Sequence, residues 1–145
     1  MNSLKAKSLI FCGLAFLGLI ACQSHPEPIE FGVDQCSYCK MTIADNKFGA
    51  ELVTPHGRVL KYDAAECMAQ DIGNDGQEYS SLYAIPIDRP GKLKPVDSLY
   101  FVIDDQIRSP MGANLAAFHK KKNANDHNAP PIRWTMVVDQ LKRKQ

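Results

Sequence analysis

A chain of 145 residues is long enough for one ordinary domain, and this length excludes a large multidomain enzyme. Hydrophobic residues make up 45% of the chain and charged residues 23%, which is the balance of a folded protein and not of a disordered tail. The 17 Lys and Arg residues against 16 Asp and Glu leave a net charge of +1, too little to favour a nucleic-acid backbone as the partner.

The first 21 residues have the features of a bacterial export signal. Lys5 and Lys7 precede an uncharged apolar run over 8–21, which is shorter than the roughly 20 residues of a membrane-spanning helix. The run ends on Leu-Ile-Ala-Cys, which resembles a lipobox. We therefore expect residues 1–21 to be removed as a lipoprotein signal peptide and Cys22 to carry the lipid.

Two further expectations concern this end of the chain. An ordinary signal peptide cut near Ala21 would leave Cys22 as a free thiol, and this alternative stays open. Gln23, and not Asp, follows Cys22, so the resemblance to lipoproteins of Gram-negative bacteria suggests the outer membrane, facing the periplasm. Because the mature chain has a net charge near zero, the lipid would have to hold it at the membrane.

Residues 22–30 are expected to form an extended tether between the lipid and the fold. The segment is polar and contains Pro26 and Pro28, which favour an extended backbone. The folded domain should then occupy 31–145.

The segment over about 46–90 has the pattern of a ββαβ unit. It contains strand patterns at 48–54 and 58–62 around a turn at 55–57, a helix pattern from Asp63 to a stop at Gly73, and a strand pattern at 82–87. Asp63 stands three residues before Glu66, which is the spacing of a capping box, so Asp63 is the expected N-cap of the helix.

The same order of patterns recurs over about 96–140. The segments are strands at 99–103 and 106–108, a helix over 109–118 and a strand at 132–138. Ser109 and Pro110 supply an N-cap and a first helical residue, and Met111, Leu115 and Phe118 recur at the spacing of one helix face. The sequence therefore predicts an α+β fold of two tandem ββαβ units.

The segment 34–41 (DQCSYCKM) is the part of the chain richest in metal-binding chemistry. Cys36, Cys39 and Met41 place three soft sulfur donors within six residues. Soft donors favour Cu(I), which accepts a low coordination number. Zinc is also possible, but a closed zinc site usually has four Cys or His ligands, and the chain has no second Cys-x-x-Cys.

The Cys-x-x-Cys pair could also have a role that involves no metal. In an oxidising compartment Cys36 and Cys39 could form a structural disulfide. A thioredoxin-like redox centre would need a strand directly before the motif, and the predicted tether occupies that place. Both roles stay open beside metal binding.

Three of the sulfur-containing residues further along the chain lie in the two predicted helices. Met111, at the start of the second predicted helix and next to Gly112, is a candidate thioether ligand. Cys67 and Met68 lie on the apolar side of the first predicted helix and are expected to be core residues.

The sequence contains none of four common enzyme motifs. The chain has no G-x-S-x-G, no phosphate loop, no H-E-x-x-H and no dinucleotide fingerprint. The chain is therefore not expected to be an enzyme, although thiol chemistry at a Cys remains a minor alternative.

Four features together resemble the NosL family, the accessory lipoproteins of nitrous-oxide reductase. They are the lipobox that ends at Cys22, the block 34–41 with its Cys-x-Met, the Tyr-Asp helix start at 62–63, and the Met-Gly segment in 109–118. The resemblance covers nearly all of the mature chain. It implies a fold of two ββαβ units, in agreement with the repeat.

The resemblance also implies a function in denitrification. It suggests a periplasm-facing copper chaperone that binds Cu(I) and helps to metallate the copper-sulfide centre of nitrous-oxide reductase, with that reductase or its membrane maturation complex as partner. By position it favours Cys39 and Met111 as the core copper ligands, then Met41, with Cys36 in addition. Asp63 could be a ligand or could support one. A thiol or disulfide redox protein using Cys36 and Cys39, or a zinc-binding structural lipoprotein, is the alternative.

Overall fold

Two antiparallel sheets and three helices make up residues 25–143, the part of the chain that the computed structural model describes. The elements are β1 (Ala50–Val53), β2 (Val59–Tyr62), α1 (Ala65–Asp75), β3 (Ser81–Ala84), β4 (Lys94–Pro95), a short 3-10 helix (Val96–Ser98), β5 (Tyr100–Ile103), β6 (Leu115–Phe118), α2 (Lys121–Asn125) and α3 (Trp134–Arg143). The fold is of the predicted α+β class.

The four-stranded sheet is built around β1, in the order β2-β1-β3-β4. All four residues of β1 are buried, because helix α1 lies against the sheet and the segment before Phe31 covers it as well. The β1–β2 hairpin has the register Val53↔Val59, and Gly57 in its turn has a φ of 81°, a left-handed value that favours glycine. This hairpin and β3 confirm the strand patterns of the first predicted unit.

The two-stranded sheet, β5-β6, is joined to the first at one point. Pro86 and Ala117 form a parallel bridge, in which the Ile87 N–H donates to the Ala117 carbonyl at 2.9 Å. On its other edge Phe101 of β5 exchanges two backbone hydrogen bonds with Ile132. The second half thus contains, in chain order, β5, β6, helix α2 and the bridging residue Ile132. This order is compatible with the predicted second unit.

Two segments of that second half differ from the prediction. Residues 115–118, predicted as the end of a helix, form β6 with all four residues buried, and 132–138, predicted as a strand, mostly belongs to α3. A short apolar run that is buried all round has no helical period, so periodicity could not decide its type. In α3 the buried residues are Trp134, Val137 and Leu141, which is a helical spacing that the β-branched residues between them concealed. Residues 106–108 are not in a strand.

Helix α1 ends later than predicted and packs on α3. Its C-cap is Gly76, with a φ of 68°, and Gly73 is an interior residue. A Cβ on Gly73 would lie 3.6 Å from Val138 Cγ1, which is an ordinary contact distance, so Gly73 faces α3 with room for a methyl group. Gly73 is therefore part of the contact between α1 and α3 and does not end the helix.

Part of the predicted tether lies against the sheet. Ile29 is buried, the Glu27 N–H donates to Glu51 Oε2 at 3.0 Å, and Lys61 Nζ donates to the Pro28 carbonyl at 2.8 Å. The predicted signal peptide, 1–21, and Cys22 lie outside the described residues. Among those that are described, no helix has both the length and the apolar character to cross a membrane.

Candidate metal centre

A tight loop presents the two cysteines of the Cys-x-x-Cys motif. The Cys36 N–H donates to the Met41 carbonyl at 2.8 Å, and the Lys40 N–H donates back to the Cys36 carbonyl at 3.0 Å. Lys40 closes the loop with a φ of 65°. The Cys36 side chain is buried, Cys39 is partly buried, and Met41 is 51% exposed. The loop therefore leads from the core to the surface within six residues.

Helix α1 brings a third thiol to this loop. The Sγ atoms of Cys36, Cys39 and Cys67 all lie within 4.8 Å of one another, and all three cysteines are free. We call these three residues the thiol cluster. An ion bonded to three sulfurs at about 2.3 Å holds them about 4 Å apart, so only a small contraction would be needed to bind one. The cluster could therefore bind a metal ion.

The protons of the thiol cluster are unequally distributed. The Cys67 thiol donates a hydrogen bond to the sulfur of Cys36, and backbone N–H groups, including that of Asp63, donate to it too, which lowers the pKa of Cys36 to about 5. The same hydrogen bond, together with burial, raises the pKa of Cys67. Burial raises the pKa of Cys39. Cys36 is thus the thiol of the cluster that loses its proton most readily.

Asp63 lies beside the cluster but does not cap the helix. The N-cap is Ala64, and no side chain makes the capping hydrogen bond. The Asp63 side chain is buried and accepts a hydrogen bond from the Ala44 N–H, while burial and the negative Cys36 raise its pKa. The predicted N-cap role is therefore wrong, and Asp63 supports the cluster through its backbone N–H.

Met111 stands in the loop between β5 and β6. Its side chain is 38% exposed, and its backbone N–H donates to Glu66, the neighbour of Cys67 in α1. The predicted residues thus fall into two groups: Cys36 and Cys39 meet in the thiol cluster, whereas Met41 and Met111 are exposed.

Sequence reasoning missed Cys67 as a member of the site. A helical cysteine on an apolar face has the pattern of a core residue, and Cys67 is indeed buried. The available signal was its position at the start of the helix that follows the Cys-x-x-Cys loop and the first hairpin.

Comparison with known families bears on these residues. The family model for NosL matches residues 28–131, a range that contains the whole thiol cluster and Met111. The chain belongs to the NosL family. This membership confirms the resemblance carried by the sequence motifs.

A solved NosL structure has the same fold. The crystal structure of the copper chaperone NosL from Shewanella denitrificans matches with a TM-score of 0.68 and 16% sequence identity, over 77% of this chain and 94% of that chain. At this identity the match establishes the NosL fold alone. No curated protein sequence matches the chain.

Proposed function

We propose that this NosL-family chain is a copper chaperone that captures one Cu(I) in its thiol cluster and hands it to a client. The observation that carries the proposal is the convergence of three free thiols, Cys36, Cys39 and Cys67, within 4.8 Å. The solved relative with the same fold is itself described as a copper chaperone. The role is one of binding and transfer, not of catalysis.

The donor set favours Cu(I) over zinc. Three thiolates and neighbouring thioethers are soft ligands, and Cu(I) binds stably with two or three of them. A structural zinc site needs four ligands, and the only metal-ligating cluster within residues 25–143 supplies three. Zinc would therefore be held incompletely.

The exposure of the donors supports release as well as capture. Cys36 and Cys67 are buried, Cys39 is partly buried, and Met41 and Met111 are exposed thioethers. In the proposed site the thiolates hold the ion from inside, and Met111 and Met41 complete the shell on the solvent side. A weakly bound thioether can be displaced by an incoming ligand of the client, so the copper leaves by ligand exchange.

The family resemblance supports a proposal for the client and the location. We expect delivery of Cu(I) to nitrous-oxide reductase, or to its membrane maturation complex, for assembly of the copper-sulfide centre during denitrification. The anchor would be a lipid on Cys22, at the outer membrane facing the periplasm. A Cys22→Ser variant should appear in the soluble fraction, and an unchanged membrane fraction would contradict lipidation.

A copper titration tests the binding half of the proposal. Under anaerobic conditions the reduced protein competes with a Cu(I) chelator, and we expect one tightly bound ion per chain. Cys39→Ser should bind markedly more weakly. Met111→Leu should also bind Cu(I) more weakly, because it removes a proposed thioether ligand. Met136→Leu is its matched control and should bind as the wild type does, because Met136 is a 48% exposed methionine on α3. Equal affinity in wild type and Cys39→Ser would refute the assignment.

A transfer experiment tests the delivery half. The copper-loaded protein is mixed with copper-depleted nitrous-oxide reductase, and copper is measured in each protein after separation. We expect transfer faster than from the same chelator alone. Copper that stays on this protein, or turnover of a thiol substrate that depends on Cys39 without copper, would favour the alternative of a thiol redox protein.

A further inference from the structure

Glu66 connects helix α1 to the loop that carries Met111. Its side chain is fully buried, yet it does not turn back to the start of its own helix as a capping box would. Ser109 Oγ–H donates to Oε2 at 2.8 Å, the Met111 N–H donates to Oε1 at 2.6 Å, and the Ala113 N–H donates to Oε2 at 3.2 Å. Both carboxylate oxygens are thus used by one short loop.

The loop turns sharply around Met111. Gly112 has a φ of 75° and Asn114 a φ of 58°, so two of three consecutive residues are in the left-handed region. Glycine and asparagine are the residues that adopt this region most readily, so the sequence suits the turn. The Gly112 N–H also donates to the Ser109 carbonyl at 3.0 Å, which closes the turn around Met111.

The consequence concerns the position of Met111 relative to the thiol cluster. Glu66 and Cys67 are consecutive residues, so the group that fixes the Met111 backbone lies one residue from a cluster thiol. We propose that Glu66 is a positioning residue for copper transfer, which holds Met111 beside the thiol cluster as the exposed ligand through which Cu(I) leaves. This inference rests on the copper function proposed above.

A carboxylate suits this task better than an amide does. Two equivalent oxygens accept three hydrogen bonds, and a carboxylate has lone pairs for all of them. Glutamine offers one oxygen and one NH₂ donor group, so at least one of the loop donors would face another donor. Glu66→Gln therefore loosens the loop while it keeps the volume of the side chain.

The experiment uses selenomethionine protein loaded with Cu(I) in a Met41→Leu background. Selenium scattering in the copper absorption spectrum then reports a methionine bound to copper, and its loss in Met111→Leu identifies Met111 as that residue. We expect Glu66→Gln to lose the same scattering and to weaken Cu(I) affinity about tenfold or more, as removal of a group that orients a ligand does. The double variant Glu66→Gln with Met111→Leu should be no weaker than Met111→Leu alone.

Glu51→Gln is the matched control. Glu51 is also a fully buried glutamate that accepts a hydrogen bond from a backbone N–H, but it lies on β1 and its partner, Glu27, belongs neither to the thiol cluster nor to the Met111 loop. It should keep the selenium scattering and the affinity. If Glu66→Gln does not fold, Ser109→Ala removes one of the three donors, and it should lower the selenium coordination number.

The outcomes separate this inference from the proposed function. A wild-type protein that binds no Cu(I) would refute both. A wild type that binds Cu(I) through Met111, with selenium scattering and affinity unchanged in Glu66→Gln or Ser109→Ala, would overturn the role of Glu66 and leave the copper function standing. A Glu66→Gln variant with a lowered melting temperature but unchanged copper coordination would mean that the residue only stabilises the loop.

Discussion

Replacement of Glu51 by glutamine should remove a pH dependence from the stability of the fold. Glu51 is fully buried on β1, where Oε2 accepts a hydrogen bond from the Glu27 N–H and Oε1 has no hydrogen-bond partner among the described residues. Burial raises the pKa of this carboxyl to about 7. Ionisation of Glu51 near neutral pH therefore lowers the free energy of unfolding.

The sign and size of the effect follow from the two pKa values. Between the ordinary pKa of 4.5 and about 7, the native state holds a proton that the unfolded state has lost, so stability falls as pH rises through this window. A tenfold difference in proton affinity between the two states corresponds to about 1.4 kcal/mol, and from pH 5 to pH 7.5 the native state should lose about 2 kcal/mol through this group. The neutral amide of Glu51→Gln has no such loss.

The assay is urea unfolding of the reduced apoprotein at several pH values between 5 and 8. The quantity to compare is the difference in unfolding free energy between Glu51→Gln and wild type, because other groups titrate in both. Cys36, with its pKa lowered to about 5, contributes in the opposite direction and cancels in the difference. The difference should shift in favour of the variant by about 2 kcal/mol as pH rises from 5 to 7.5. A difference that stays constant across this range would refute the argument from burial.

Three further predictions concern packing and metal. Gly73→Ala should stabilise the protein by up to about 1 kcal/mol in urea unfolding, because alanine is the better helix former and its Cβ meets Val138 at an ordinary 3.6 Å; a loss of stability would contradict the packing of α1 on α3. Gly49→Ala should cost about 1–3 kcal/mol, because its Cβ would lie 2.9 Å from Ile29 Cδ1 and 3.1 Å from Ile85 Cδ1, and this cost should be smaller when it is measured in an Ile29→Ala background. Cu(I) should raise the melting temperature of the wild type, since it binds only the native cluster, and a rise of the same size in Cys36→Ser would argue against that cluster.

The first half of the fold could be predicted from sequence because its signals are local. A hairpin with a glycine turn and a helix with an apolar face need only short-range patterns, and such patterns predict the hairpin within 48–62 and the presence of α1, although not the residues that cap it. In the second half, the type of secondary structure depends on which residues are buried on both sides. Residues 115–118 became a strand because the sheet and its neighbours enclose them, which no period in the sequence encodes.

The residues of the candidate site also differ in whether local sequence could predict them. The Cys-x-x-Cys loop could be identified from spacing alone, whereas Cys67 joins it only because α1 packs behind the loop. Glu66 is the clearest case, since its spacing from Asp63 fits a capping box but its side chain bonds to a loop far along the chain. Contacts of this range are set by the tertiary fold and not by local sequence.

X-ray absorption at the copper edge tests the central claim most directly. The wild type and Cys67→Ser are loaded with one Cu(I) per chain under anaerobic conditions, and the nearest neighbours of the ion are determined in each. The thiol cluster predicts a shell of sulfur alone in the wild type, with one sulfur fewer in Cys67→Ser. A shell that contains nitrogen or oxygen in the wild type, or an identical spectrum in Cys67→Ser, would contradict the claim that the three thiols hold the copper.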